Sequence, residues 1–294
     1  MPTKTRNIVY IILSAVIVAV VLYVEFGTGT TEEEKTEKLI GITKDYSDQI
    51  QGILSTMQGI PDSIARVLSV HKYDDAKINE MLKAAVKDHP NVYGSTCSFE
   101  PYMQDKNSYY FSPYYYKHGD TVLYQNLGTP SYDYFIWSWY LVPKRLGTHF
   151  WSEPYFDEGG GNTDMITYSV PFFRDSENGK KFTGIVTVDL AMSWLDKIIG
   201  PLDLNGNGFA LLISSTGTVV SSNNAYKKWR LKESLFSIAQ EENWHNIHPV
   251  GENVEGGEGI KEFTDGSGVK YIFSYKQLGK NNLSFLVALR EDKI

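Results

Sequence analysis

The fold is organised around the stretch Tyr132-Asp133-Tyr134-Phe135-Ile136-Trp137-Ser138-Trp139-Tyr140. The same segment continues through Trp151-Ser152-Glu153-Pro154-Tyr155-Phe156-Asp157 and ends on Gly184-Ile185-Val186-Thr187-Val188-Asp189-Leu190. Aromatic faces and isolated carboxylates recur here, at positions that we expect to be turns and strands. Such a combination is typical of a small pocket for a polar or cationic ligand.

The composition favours two modules and excludes one class of partner. A chain of 294 residues with 42% hydrophobic residues can bury one large core or two ordinary ones, and we expect two. The net charge of -7 and the absence of a long basic run argue against a nucleic-acid partner, because phosphate binding needs a dense Lys and Arg surface. Cys97 is the single cysteine, which excludes an intramolecular disulfide; we expect it to be a small buried residue.

The N-terminal residues predict a membrane anchor. The chain is almost wholly apolar from Ile8 to Val24, which is at the short end for a membrane span. Lys4 and Arg6 precede this stretch and acidic residues follow it, a polarity that predicts a cytoplasmic N-terminus. A cleaved signal peptide is the alternative, but no small-x-small cleavage pattern follows the apolar stretch. A type IV pilin is a third option, but no pilin processing site precedes the apolar stretch.

The segment from Thr31 to His71 predicts a long amphipathic helix. Its apolar residues recur at spacings of three and four, and Thr31 with Glu34 fits a capping box. Pro61 is expected to kink the helix or to split it in two. A helix of this kind directly after a membrane span suggests a stalk or a dimer seam, and packing against its own domain is the alternative.

The rest of the chain predicts two α+β modules with similar element order. In the first we expect helices at Asp74–Lys87 and Ala191–Ile199, strands at Asn91–Phe99, Trp151–Tyr155, Asp164–Phe173 and Lys181–Leu190, and a hairpin at Tyr109–Leu123. In the second we expect a hairpin from Phe209–Ser214 and Thr218–Ser221, a helix at Leu231–Glu242, and strands at Gly259–Phe263, Val269–Gln277 and Leu283–Leu289. The similar order predicts one fold used twice.

The sequence contains no complete catalytic, cofactor-binding or metal-binding motif. The glycines of Glu158–Asn162 lack the residues of a phosphate-binding loop. Asp203–Gly208 begins like a calcium loop, but the twelfth position is Ser214, so a turn is the better interpretation. His245 and His248 lack a third zinc ligand. We therefore expect no cofactor, no metal and no enzymatic activity. The competing hypothesis is an anchored hydrolase that uses Glu153 and Asp157 as a carboxylate pair.

Taken in order, these segments resemble the double Cache extracytoplasmic sensor domains of prokaryotic receptors. The resemblance rests on Trp139-Tyr140, Glu153–Asp157, Ile166–Pro171, Gly184–Leu190 and Gly208–Val220, and it covers nearly the whole chain from Glu32 to Glu291. It implies an α+β fold with an N-terminal transmembrane helix and a long stalk helix, followed by two PAS-like modules with antiparallel sheets. The implied boundaries are 1–26 for the N-terminus and anchor, 31–71 for the stalk, 72–200 for a membrane-distal ligand-binding module and 201–294 for a membrane-proximal module.

The resemblance also implies a ligand site in the first module. The family's amino-acid-binding members have an Arg-x-Trp-Tyr element that falls on Trp137-Ser138-Trp139-Tyr140, so that Trp137 replaces the arginine. That arginine would bind the ligand carboxylate through two hydrogen bonds, and its loss favours a cationic ligand without an obligatory carboxylate. Lys144 or Arg145 could substitute for it. The ligand-binding residues implied by the resemblance are Trp137, Trp139, Tyr140, Tyr155, Asp157, Tyr168 and Asp189.

As a member of this family, the chain is expected to be a sensor in the cytoplasmic membrane, with its bulk extracytoplasmic. Its expected partners are a small-molecule ligand, the membrane, a second copy bound through the stalk helix, and a cytoplasmic signalling output. The output region is missing before Ile294, so we expect that the chain is truncated or signals through another protein. A ligand-free dimerising scaffold, with the first module filled by side chains, is a further alternative.

Overall fold

The computed structural model describes residues 32–223, 232–245, 257–279 and 283–294. It is an α+β fold with a long N-terminal helix and two antiparallel sheets, as the sequence predicts. The predicted membrane span, 8–24, lies outside the described residues, as do Thr31 and His248. Within the described ranges, no helix is both long enough and apolar enough to cross a membrane.

Helix α1, Glu32–Val70, is a single helix of 39 residues. At 1.5 Å per residue it is about 58 Å long. Pro61 does not split it, contrary to one of the two expectations. Proline removes one backbone hydrogen bond from the helix. Packing offsets this loss, because Leu54, Met57 and Leu68, on both sides of Pro61, are at most 2% exposed.

Helix α2, Asp75–Lys87, follows as predicted. The Asp74 side chain caps its N-terminus by accepting a hydrogen bond of 2.8 Å from the Lys77 backbone N–H. Ile78, Leu82 and Val86 recur at four-residue spacing on the buried face of this helix.

The first sheet is antiparallel, and its strands occur in the order β3-β2-β1-β7-β6-β4, with β5 also paired to β6. The strands are β1 Gly94–Phe99, β2 Pro113–His118, β3 Thr121–Asn126, β4 Phe150–Trp151, β5 Tyr155–Phe156, β6 Asp164–Ser176 and β7 Gly179–Ala191. The predicted strand at Trp151–Tyr155 is therefore two short strands, which Ser152-Glu153-Pro154 separates. The other strands of the first module lie within a few residues of their predicted positions.

One face of this sheet packs against helix α1. Cys97, Phe99 and Val186 form an apolar core with Ala65 and Leu68 of the helix. Cys97 is fully buried, and burial raises the pKa of its thiol. It is thus a buried core residue, as the sequence predicts.

The aromatic run around Trp139 differs from its expected structure. It forms a short 3-10 helix, Tyr134–Ile136, followed by helix α3, Ser138–Leu146, instead of turns and strands. Local hydrogen bonding explains the change: the Asp133 side chain accepts from the Phe135 N–H, and Gly147 ends the helix at a positive φ of 68°.

The second sheet has the strand order β10-β11-β12-β8-β9. Its elements are β8 Gly208–Ser214, β9 Val219–Ser222, α5 Leu235–Glu241, β10 Glu258–Thr264, β11 Lys270–Gln277 and β12 Leu283–Arg290, and α4 Met192–Ile199 precedes them. Taken from its other edge, the second sheet has the order β9-β8-β12-β11-β10, that is, the second, first, fifth, fourth and third strand along the chain. The first sheet has the same order, β2-β1-β7-β6-β4, when β3 at its edge and the short β5 are left out. The sheets therefore agree with the predicted use of one fold twice.

The described chain divides into two units. One contains Ser47–Leu195 and Leu278–Leu283. The other contains Asp196–Gln277, Ser284–Ile294 and helix α1 as far as Tyr46. In the second unit, Asp203 accepts a hydrogen bond of 2.7 Å from the Asn205 N–H, which supports the predicted turn there.

Candidate ligand-binding site

The second face of the first sheet is polar and lies under the aromatic run. Successive residues of a strand point to opposite faces. The residues of β1, β6 and β7 that alternate with the apolar core residues are mostly small and polar: Thr96, Ser98, Thr167, Ser169, Thr187 and Asp189. All six are at most 4% exposed. A buried polar face of this kind needs polar partners from the residues that cover it.

Asp189 is the charged group of this face. Thr167 lies opposite it on β6 and donates a hydrogen bond of 2.8 Å from its hydroxyl to Asp189 Oδ1. The Tyr155 hydroxyl lies 2.8 Å from Thr167 Oγ1 and, because Thr167 donates to Asp189, Tyr155 donates to Thr167. A chain of two hydrogen bonds therefore joins Tyr155 to the Asp189 carboxylate.

Gly94 allows the close approach of groups to Asp189. A Cβ atom at Gly94 would lie 2.2 Å from the Tyr114 hydroxyl and 2.6 Å from Asp189 Oδ2. Tyr114 is 1% exposed. Only a residue without a side chain leaves space for both groups at this place.

Burial raises the pKa of Asp189 to about 7, and the nearby charge of Asp157 adds to the increase. The hydroxyls of Thr167 and Tyr114 act in the opposite direction but are weaker. Asp189 therefore loses its proton at a higher pH than an ordinary carboxyl group does. Any positive charge that arrives beside it would favour the ionised form.

Asp157 is the second buried carboxylate, at 3% exposure, in the turn after β5. The Tyr132 hydroxyl donates a hydrogen bond of 2.5 Å to its Oδ1, and the Gly161 N–H donates one of 2.7 Å to its Oδ2. Burial raises the pKa of Asp157, and these two hydrogen bonds partly offset that effect. The glycine turn thus holds the Asp157 carboxylate in place.

Aromatic rings cover the two carboxylates. Trp137 stacks on Tyr132, with centroids 5.5 Å apart and planes 10° apart, and its ring lies 5.8 Å from that of Tyr155. Trp139 is 2% exposed and belongs to the same buried cluster as Tyr132 and Tyr114. The predicted residues Trp137, Trp139, Tyr155, Asp157 and Asp189 are therefore brought together around one site.

Two of the predicted residues direct their hydroxyl groups away from the two carboxylates. Tyr140 is fully buried, and its hydroxyl donates a hydrogen bond of 2.6 Å to Glu100, which also binds Lys144 at 2.6 Å. Lys144 is thus engaged by Glu100. Tyr168 follows Thr167 on β6, so its side chain lies on the other face of the sheet, where its ring lies 5.1 Å from that of Trp151.

The sequence analysis missed four residues of the site. They are Tyr93, Tyr114, Tyr132 and Thr167. Tyr93 donates a hydrogen bond of 2.7 Å to the Gly161 carbonyl, and burial, with Asp189 next in importance, raises its pKa to about 12. Tyr132 could have been predicted from the sequence, because it opens the aromatic run. Thr167 could not have been predicted, because its role depends on the β6–β7 register.

The electrostatics of the site suit a cation. The groups of the described chain that shift the pKa of Asp189 are Asp157, Thr167 and Tyr114, none of which is basic. A buried carboxylate without a positive partner is costly, and two close together are more so. An ammonium group would supply the missing positive charge beside the carboxylates and would contact the faces of the surrounding rings. No three His, Cys, Asp or Glu side chains of the described chain are arranged as metal ligands.

A family model matches the first module of the chain. Residues 78–197 match the family model of the methyl-accepting chemotaxis protein-like, first PDC sensor domain. A comparison of the sequence with curated proteins finds no match.

Among solved structures, the extracellular domain of mmHK1S-Z2, which is named as a histidine kinase, has a TM-score of 0.74 at 23% identity, over 88% of this chain and 98% of that one. The ligand-binding domain of the Pseudomonas aeruginosa PAO1 chemoreceptor PctB with L-Gln has a TM-score of 0.59 at 17% identity, over 87% and 90%. The ligand-binding domain of PctC from the same organism with GABA has a TM-score of 0.57 at 17% identity, over 85% of this chain and 96% of that one.

At these identities the solved structures establish the fold, and the family model identifies the first module. The fold and the order of motifs agree with the resemblance that the sequence indicates. Residues 78–197 thus match a PDC sensor-domain family, and the chain shares its fold with the extracellular sensor domains of chemoreceptors and histidine kinases.

Proposed function

We propose that the first module binds a small molecule through a positively charged ammonium group, and that this chain is the extracytoplasmic sensing part of a membrane-anchored receptor. The observation that carries the proposal is the pair of carboxylates Asp157 and Asp189, at 3% and 4% exposure, under a cover of aromatic rings. Each is hydrogen-bonded by neutral donors. The net negative charge of such a site is balanced when a cationic ligand binds.

The ligand class is an amine, including amino acids as weaker members. Trp137 stands where an arginine would bind the carboxylate of an α-amino acid. Of the two candidate substitutes, Lys144 is engaged by Glu100 and Arg145 is exposed. Trp137 instead offers a ring face beside Tyr132 and Tyr155, which suits an alkylammonium group. The similar domains of PctB and PctC were solved with L-Gln and GABA, both of which carry an amino group.

The proposed organisation follows the boundaries expected from the sequence. Residues 1–26 provide the anchor, 31–71 the stalk helix, 72–200 the membrane-distal ligand-binding module and 201–294 the membrane-proximal module. A ligand shifts such a receptor only if it binds one of two conformations more tightly. The stalk helix carries the change to a cytoplasmic output, in a longer form of the protein or in a partner, and it also joins two copies into a homodimer.

Isothermal titration calorimetry tests the ligand class. The titrants are n-butylamine, 1,4-diaminobutane, choline, GABA and L-glutamine. We expect at least one of the first three to bind more tightly than L-glutamine, and Asp189→Asn to weaken its binding by about tenfold or more, since hydrogen-bonded charge pairs contribute about 1.5–3 kcal/mol.

Asp175→Asn is the matched control, because Asp175 is an exposed carboxylate on the same long hairpin. It should leave the affinity unchanged. The proposal is wrong if no titrant binds, or if Asp189→Asn and Asp175→Asn have equal effects.

A further inference from the structure

Strand β3, Thr121–Asn126, forms an outer edge of the first sheet. It pairs with β2 along its whole length, so its other side faces away from the sheet. An edge strand presents a row of backbone N–H and C=O groups on that side. Within the described part of the chain, the backbone groups of β3 have no hydrogen-bond partner outside β2.

The other sheet edges of the described chain are short, occupied or charged. Strand β4, at the opposite edge of the first sheet, is two residues long. At β9, the Val219 N–H donates to the Glu233 carbonyl and the Val219 carbonyl accepts from the Lys232 N–H, both at 2.9 Å. Strand β10 carries the charged residues Glu258, Lys261 and Glu262. Each of these features discourages pairing with another strand.

Strand β3 has none of these features. It is six residues long, and its register with β2 is regular, without a bulge. Its residues include no charged side chain and no proline: Thr121, Val122, Leu123, Tyr124, Gln125 and Asn126. Leu123 is 39% exposed and Tyr124 is 55% exposed. A regular, uncharged edge with exposed apolar side chains favours pairing with a further strand.

Contacts behind the strand hold this edge in place. The Tyr124 ring lies 5.3 Å from the Tyr115 ring, and the Tyr115 hydroxyl donates a hydrogen bond of 3.0 Å to Asn79 of helix α2. The Gln125 side chain donates a hydrogen bond to the Gly159 carbonyl. The edge is therefore already ordered, which lowers the entropic cost of binding another strand.

We propose that β3 pairs antiparallel with β3 of a second copy of the chain, so that the first sheets of two molecules become continuous. A two-fold axis perpendicular to the sheet passes through the pair at Leu123. It sets these residues opposite each other: Leu123 and Leu123, Val122 and Tyr124, and Thr121 and Gln125. Pairs of an aromatic and a β-branched residue stabilise a sheet, and this register forms two of them.

The charge pattern favours a second copy as the occupant of this edge. The chain has a net charge of -7, so two copies repel each other wherever acidic residues meet. In the proposed register, Asp120 lies opposite the uncharged Asn126 and not opposite its own copy. No two like charges therefore face each other along the paired strands. The contact requires neither a ligand nor helix α1, so it is independent of the proposed function.

Disulfide formation tests the register. Leu123→Cys places two thiols at the two-fold axis, where opposite Cβ atoms lie about 4.5–5.5 Å apart. Thr121→Cys is the matched control, because it is exposed on the same face of the strand but lies about 13 Å along the strand from its copy. Cys97 is buried and should stay reduced. Under mild oxidation we expect Leu123→Cys to form covalent dimers and Thr121→Cys to remain largely uncrosslinked.

Sedimentation velocity tests the contact without a covalent bond. All proteins in this series carry Ile40→Lys, which disfavours association through helix α1. Adding Leu123→Lys places two ammonium groups opposite each other, so we expect self-association to weaken by about tenfold or more. Leu146→Lys, at a 60% exposed leucine outside the sheet, is the control and should associate like the Ile40→Lys protein.

Three results would overturn the proposal. Equal crosslinking of Leu123→Cys and Thr121→Cys would show random collision, and no crosslinking of either would show that the strands do not meet. Equal association of the Leu123→Lys and Leu146→Lys proteins would exclude the edge as an interface. In the parent protein, hydrogen exchange of β3 should slow as the protein concentration rises; protection that is equal at every concentration would show that another segment of the same chain covers this edge.

Discussion

Asp189 should make the stability of the ligand-free protein depend on pH. Its pKa of about 7 in the folded protein lies above the usual carboxyl value of 3.8. The folded state therefore holds the proton more tightly than the unfolded chain, and its advantage is complete below about pH 4 and lost as the pH rises through about 7. The difference between these two pKa values corresponds to a free energy on the order of 4 kcal/mol.

We expect the free energy of unfolding in urea to be lower at about pH 8 than at about pH 5, and Asp189→Asn to remove most of this difference because the amide does not ionise. Asp157 contributes in the same direction, since its pKa is also raised. Asp175→Asn should keep the pH dependence of the parent protein. An equal dependence in Asp189→Asn would show that another group is responsible.

Trp137 should determine whether the site accepts a carboxylate. Trp137→Arg restores a guanidinium beside Tyr132 and Tyr155, so we expect the affinity for L-glutamine relative to n-butylamine to rise about tenfold or more. Competition calorimetry measures the ratio. Trp137→Phe removes the indole without adding charge and should leave the ratio nearly unchanged; equal ratios in both variants would contradict this role.

At the residue level, the ligand-binding role of the seven candidate residues stays a prediction, although Trp137 and Tyr155 lie close together. The surroundings of the Tyr140 hydroxyl and of the Tyr168 ring depend on residues distant in the chain, Glu100 and Trp151. Burial of an aromatic ring says nothing about which polar group its hydroxyl meets.

Glycines of different elements should respond in opposite ways to substitution. Gly52 lies in helix α1, where an added Cβ would meet nothing within 4 Å, so Gly52→Ala should stabilise the protein by about 0.5–1 kcal/mol. Gly208 begins β8, where a Cβ would lie 1.9 Å from the Ala288 carbonyl oxygen, so Gly208→Ala should destabilise it by about 1–3 kcal/mol. Thermal unfolding of both variants measures these effects. If both substitutions changed the stability in the same direction, the packing described around one of the two glycines would be wrong.

Helices and strands with strong periodicity were predictable, and the aromatic run was not. Helix α2 and strands β6 and β7 lie close to their expected positions because their apolar spacing is a local property. The run around Trp139 has no clear period, and caps at Asp133 and Gly147 make it helical.

For the whole molecule, the proposed homodimer depends on helix α1. Ile40 and Val67 of this helix are 40% and 36% exposed, so both side chains are accessible to a second copy of the chain. We expect Ile40→Lys or Val67→Lys to weaken self-association in sedimentation velocity without loss of helix content, since lysine is a good helix former. Ile136→Lys, at a 73% exposed isoleucine outside the helix, is the control. Equal effects of all three variants, or a monomeric parent protein, would contradict the proposal.

By itself, the sequence determined the α+β class, the long helix, the repeated element order and the acidic, aromatic character of the site. These are properties of composition and of short-range spacing, which a chain carries before it folds. Only the tertiary structure decided that Asp189 meets Thr167, that Tyr132 holds Asp157, and that Tyr168 faces helix α1. Strand register and turn geometry join residues far apart in the chain, and a change of one position in register would reverse every face.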